Sequence, residues 1–166
     1  MIQKKRFFRA IDRWFSPPKK SFFLFGPRGT GKSTWILHHY PNAKFLNLLE
    51  PDTLRHYSAF PENFEVYVRA HPTVKTFIID EVQNAPMLLS VVHKLIEEKQ
   101  DWQFILTGSS ARKLKRSGVD LLAGRAQLKT LHPFMATELK EDFYLDKSLN
   151  LGLIPLIVTS AEPEED

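Results

Sequence analysis

The stretch "GPRGTGKST" at residues 26–34 sets four residues between Gly26 and Gly31, then adds Lys32, Ser33 and Thr34. Gly26, Gly29 and Gly31 free the backbone to adopt positive φ and to bring its N–H groups close to an oxygen. A helix that starts directly after such a loop contributes about half a positive charge at its N-terminus. The pattern reads as a loop that grips phosphate. Pro27, Arg28 and Thr30 complete its backbone, Lys32 meets the β- and γ-phosphates, and Ser33 offers a hydroxyl to Mg²⁺. Thr34 lies near the α-phosphate or simply inside the helix. The bland alternative is a glycine-rich turn without a ligand. At average composition, a chance match in a chain this long has a probability below about 1%.

The flanks have the form that such a loop requires. "SFFLFG" before it is a short apolar run ending in glycine, which predicts a buried strand. "GKSTWILHHY" after it predicts a helix of about three turns. Downstream, "AKFLNLLE" reads as a strand and "PDTLRHYSAF" as a helix capped by Asp52, with Leu54 and Tyr57 on one face. "PENFEVYVRA" mixes a helix-start proline with strand-like alternation, and a helix is expected. "KTFIIDE" is a strand apolar on both faces. "NAPMLLSVVHKLIEEKQ" is a helix with Pro86 near its start and Leu88, Val91, Val92 and Leu95 in one stripe. "WQFILTG" is a strand, "AQLKTLHPF" another, and "MATELKEDF" a short helix. Alternating strands and helices imply a parallel sheet with right-handed crossovers, and the loop then sits at the carboxyl end of the first strand.

Composition bounds the rest. The 166 residues, 43% hydrophobic and 25% charged, suit one globular domain. A formal charge of +4 is compatible with phosphate or nucleic-acid ligands without selecting either. The absence of cysteine excludes disulfides and thiolate metal sites, and fits a cytoplasmic setting. No apolar run approaches the roughly 20 residues of a membrane helix. "MIQKKRFFRAIDRWF" is basic and amphipathic and reads as a plain N-terminal helix, ended by "SPPKK", rather than a targeting segment.

Cleaving a phosphoanhydride needs more than a loop. "TFIIDE" ends an apolar strand with Asp80, suited to hold Mg²⁺, and Glu81, suited to take a proton from water. Were that strand adjacent to the first, Asp80 would lie beside Ser33. The rival reading is a pair of acids at a strand end. In "FILTGSS", Thr107 and Ser109 emerge where they could bond the γ-phosphate or the water, or Ser109 or Ser110 could cap a helix. Arg125 in "LLAGRAQL" could reach transition-state charge within its own chain or across an interface, or form a surface ion pair. "RKLKR" at 112–116 reads as a solvated helix face rather than a nucleic-acid patch. His38 and His39 point to different faces and make a poor metal pair.

Together, "FLFGPRGTGKST", "FIIDEVQNAPMLL", "FILTGSSA" and "LLAGRAQLKTLHPFMATEL" resemble the prokaryotic AAA-type ATPases whose AAA domain precedes a C-terminal domain of unknown function. The resemblance implies a three-layer α/β/α P-loop NTPase fold with a five-stranded parallel sheet of order 5-1-4-3-2. Lys32 and Ser33 would belong to Walker A, and Asp80 and Glu81 to Walker B. Thr107 falls at the first sensor, with Ser109 beside it, and Arg125 in the family's "GR" motif. Asp80 then reaches the metal from one strand further away than adjacency would put it. ATP and Mg²⁺ are the implied ligands, with Pro155 in "LNLGLIPLIV" as an adenine contact, although Leu153 stands where the family has a second glycine. The expected organisation is a lead-in at 1–20, an AAA-type core at 21–145 and the start of a truncated lid region at 146–166.

Three functions follow in order: an ATPase yielding ADP and phosphate, a nucleotide-dependent switch with little hydrolysis, and a small-molecule kinase, for which no acceptor-site signal exists. A second copy of the chain or another protein is the partner class left open. A membrane partner is not expected, and nucleic acid lacks support.

Overall fold

The computed structural model describes residues 13–109, 111–116, 122, 124–155 and 158. Of the N-terminal helix expected over residues 1–15, residues 1–12 lie outside the described residues, and residues 13–15 are not helical. Residues 17–131 form one compact unit; residues 1–16 with 132–166 form another.

In the larger unit, β1 (Phe22–Phe25) is buried along its whole length, as an apolar run without alternation should be. The helix α1 (Lys32–His39) follows the glycine loop. It is shorter than the three turns expected, because Tyr40 closes it immediately before Pro41. Next come β2 (Lys44–Asn47), α2 (Pro51–Ala59) and α3 (Asn63–Arg69). Asp52 does not cap α2. Glu50 occupies that position without a side-chain bond to the helix's backbone N–H groups, and Pro51 starts the helix with its φ already set. Asp52 sits in the first turn instead, paired with Arg55. The ambiguous "ENFEVYVR" is helical because Phe64 and Val68, four apart, both reach the core.

Then follow β3 (Thr76–Asp80), α4 (Leu88–Glu97), β4 (Gln103–Gly108), α5 (Ala111–Arg116) and β5 (Gln127–Thr130). On α4 the fully buried positions are Leu88, Leu89, Val92 and Leu95, with Val91 at the margin. The core joins these to the sheet through the rings of Phe64, Phe77 and Phe104, whose centroids lie 6.0–6.4 Å apart.

All five strands are parallel, in the order β2-β3-β4-β1-β5. This is the expected order read from the other edge. It places β4 between β1 and β3, so the strand ending in Asp80 does not neighbour the strand leading to the loop.

The smaller unit includes α6 (Ala136–Leu139), a 3-10 turn (Lys140–Asp142) and α7 (Leu145–Leu151). Sequence periodicity did not announce α7, because its seven residues carry one apolar pair at helical spacing, Leu145 and Leu149, too short a pattern to recognise; both are exposed. Glu138 organises this unit. Its carboxylate accepts from the backbone N–H groups of Trp14 and Met135, each at 2.9 Å, and the Arg13 guanidinium lies over the Phe134 ring. Among the described residues no helix is long and apolar enough to cross a membrane.

Candidate functional site

The glycine loop begins as a continuation of the sheet. Gly26 N–H donates to the Gly108 carbonyl at 3.3 Å, and Leu131 N–H to the Phe25 carbonyl at 2.7 Å. Gly26 is thereby wedged against the end of β5, where any Cβ would collide with the Leu131 carbonyl oxygen. Backbone cannot yield as a flexible side chain does. Gly26→Ala is therefore expected to destabilise the fold by about 1–3 kcal/mol. A lower urea midpoint at unchanged slope would register it.

Beyond Gly26 the chain turns through Gly29 and Gly31 at φ 78° and 81°. Thr30 is buried and ties the turn by donating its hydroxyl to the Pro27 carbonyl at 2.9 Å. Helix α1 then starts with Gly31 at its cap, no side-chain capping bond and no acidic residue in its first turn. Its leading N–H groups and their positive dipole end are thus not satisfied by a side chain. Pro27, Arg28, Gly29, Ser33 and Thr34 are exposed around this end. Lys32 is buried, only 7% exposed, and its Nζ donates to the carbonyls of Gly26 at 2.7 Å and Pro27 at 3.0 Å.

The acids come from the far side of β4. Register pairs Ile79 with Leu106, so Asp80 and Thr107 are next to each other at the strand ends. The Thr107 hydroxyl donates to Asp80 Oδ1 and accepts the Glu81 N–H at 3.2 Å. Asp80, Glu81 and Thr107 are all buried. Asp80 thus has Thr107 as its partner, and the adjacency to Ser33 that neighbouring strands would have created is replaced by this bridge. Glu81 sits at φ 56° and ψ 47°, a left-handed conformation that few non-glycine residues adopt and that marks strained functional turns. A single 3-10 turn (Val82–Asn84) follows and brings Gln83 back, so that its amide nitrogen donates to the Glu81 carboxylate. Gln83 was not among the residues singled out from the sequence. The signal for it was present in "DEVQ", but nothing in a linear pattern says that a side chain two residues on folds back.

Charge in this cluster is poorly compensated. Burial lowers the pKa of the Lys32 ammonium, with Arg28 adding to the effect, although Glu81 and Asp80 oppose it. Burial likewise raises the pKa of Asp80; the Thr107 bond and Lys32 oppose that, and Glu81 reinforces it. Lys32 is therefore within electrostatic reach of both acids yet not neutralised by them. An anion at Lys32 and a cation at Asp80 would relieve both burdens, and a phosphate with a divalent metal supplies that pair of charges. The donor set, a serine hydroxyl and a carboxylate, suits a hard cation that keeps several of its own waters. The residues fit such a ligand.

Other predicted residues lie elsewhere. Arg125 precedes β5, whose first residue, Gln127, pairs with Phe22 at the beginning of β1. The loop follows the opposite end of β1, so Arg125 is not brought beside Lys32. Its guanidinium pairs with Glu97 at the end of α4. Ser109 lies one residue past β4 on the loop side of the sheet. Pro155 belongs to the smaller unit, and Ser110 is outside the described residues. The basic run at 112–116 lies in α5, where Arg112 is exposed and Leu114 is fully buried.

A parallel sheet in this order, with a glycine loop and a buried lysine between β1 and α1, defines a nucleotide-binding P-loop NTPase fold. A family model described as the AAA domain matches residues 18–140, and the chain belongs to that family. No curated protein matches it.

Proposed function

We infer that this AAA domain binds ATP with Mg²⁺ and hydrolyses it to ADP and phosphate. The observation that carries the reading is the hydroxyl bridge of Thr107 between Asp80 and the Glu81 backbone, within electrostatic reach of buried Lys32. A loop alone supports binding; this bridge adds a metal-holding acid and a base held in fixed relation.

In this mechanism the N–H groups of the loop from Gly26 to Thr34 cradle the phosphates, with Pro27, Arg28, Gly29, Thr30 and Gly31 setting their directions. Lys32 exchanges its bonds to the Gly26 and Pro27 carbonyls for phosphate oxygens. Ser33 and Asp80 hold Mg²⁺, which, when bound, neutralises charge on the phosphate oxygens. Glu81 accepts a proton from the attacking water. Thr107 keeps Asp80 and the Glu81 backbone in register, and Ser109 stands nearby to bond phosphate. Arg125, at the other end of the sheet, would have to serve the site of a neighbouring copy. Pro155 is the proposed contact to adenine, and the cytoplasm is the proposed setting.

The position of Arg125 also favours a second reading, a nucleotide-dependent switch whose isolated copies hydrolyse slowly. Phosphate release measured against protein concentration separates the two, since turnover completed by a neighbour rises faster than linearly.

Binding itself is tested by melting. At a Mg²⁺-ATP concentration about 100-fold above Kd, the folded state should gain about 2.7 kcal/mol. For a chain of this size that corresponds to a rise of roughly 5–10 °C in Tm. A protein whose Tm ignores millimolar Mg²⁺-ATP does not have this function.

A further inference from the structure

Gln83 carries two polar side-chain atoms beside Glu81, and only one of them has a partner. Its Nε2 donates to the Glu81 carboxylate. A carboxylate only accepts, so the amide must face it with its nitrogen, and this leaves Oε1 on the other side. That oxygen is buried and has no hydrogen-bond partner. A buried acceptor without a donor is rare, and it marks a place where a donor belongs. The surroundings hold Gln83 in this posture. The left-handed Glu81 and the 3-10 turn (Val82–Asn84) aim the side chain back toward β4. Gly108 makes room for it: a Cβ there would stand 2.5 Å from Gln83 Oε1. The Gly108 carbonyl in turn accepts from Gly26 N–H, so the amide lies beside the residue that anchors the phosphate loop.

We propose that Gln83 positions the attacking water, with Oε1 accepting one of its hydrogens while Nε2 holds Glu81 to accept the other. A water with both hydrogens directed to fixed acceptors turns a lone pair outward, toward the γ-phosphorus. Its oxygen bonds to that phosphorus as the bond to the bridging oxygen of ADP breaks; the proton passes to Glu81 and then to phosphate or solvent. This role rests on the ATPase reading above and adds to it a residue outside the loop and the acidic pair.

The test uses Gln83→Met, which keeps the length of the side chain and removes both polar atoms, with Gln83→Ala as a second variant should methionine pack badly. Single-turnover hydrolysis is expected to slow by on the order of 100-fold, the effect of losing alignment of about an ångström. The Kd for a non-hydrolysable Mg²⁺-ATP analogue should stay within about threefold of wild type, because Gln83 holds the water and not the nucleotide. Adding Glu81→Gln to Gln83→Met should slow the reaction little beyond Glu81→Gln alone, since residues acting as one unit are not additive. A residue that merely packs would give independent, multiplying effects. Wild-type rates in both variants with binding intact would overturn the role of Gln83 and leave the ATPase reading standing. A wild-type protein that binds the analogue but never releases phosphate would overturn both.

Discussion

Lys32→Ala is expected to weaken Mg²⁺-ATP binding by roughly 10- to 150-fold, the equivalent of about 1.5–3 kcal/mol for a lost hydrogen bond to a charged group. The nucleotide-free protein should tolerate the change well. Lys32 now donates to the Gly26 and Pro27 carbonyls, but its ammonium is buried and bears a desolvation penalty that alanine lacks. The two effects offset each other in the empty fold and diverge when phosphate arrives. Melting curves with and without nucleotide make the distinction: the free Tm moves little, and most of the nucleotide-induced rise disappears. Equal affinity in variant and wild type, by titration of a fluorescent ATP analogue, would remove the phosphate loop from the account altogether.

Glu81→Gln is expected to reduce phosphate release by about 10²- to 10⁴-fold while leaving nucleotide affinity nearly unchanged. Glutamine matches the shape of the side chain but cannot take a proton at neutral pH. The bond from the Glu81 N–H to Thr107 belongs to the backbone and survives the exchange, so Asp80 keeps its orientation. The variant should therefore trap ATP unhydrolysed. Retained turnover would favour the switch reading, with what little hydrolysis occurs arising from phosphate and loop alone. Release measured by a coupled phosphate assay on matched, folded samples decides it.

Much of the fold was legible because its signals are local. "SFFLFG" and "KTFIIDE" are too short and too uniformly apolar for surface elements, and both are buried strands. The α4 stripe survived with one exchange, Leu89 for Val91, within the width of a helical face. Local reasoning failed where a choice depended on neighbours. Asp52 was a sound candidate cap, but Pro51 started the helix one residue earlier. Helix α7 carries only the single pair Leu145 and Leu149 at helical spacing, too little to betray it. Strand order is non-local by nature: residue spacing alone would have paired β3 with β1. The resemblance supplied the interposed β4, and with it came Thr107 as the partner of Asp80.

The chain's own letters determined that a glycine loop with Lys32 and Ser33 joins a buried strand to a helix, and that two acids end another apolar strand, because glycine freedom, charge and periodicity are properties of neighbouring residues. The tertiary structure decided the relations among them. Thr107 bridges Asp80 and Glu81, Gly26 is pressed against the Leu131 carbonyl, Gln83 folds back onto Glu81 with one oxygen unpaired, and Arg125 stands at the opposite end of the sheet. Each of these depends on which strands lie side by side and in what register, and that is settled only when the whole sheet closes around its core.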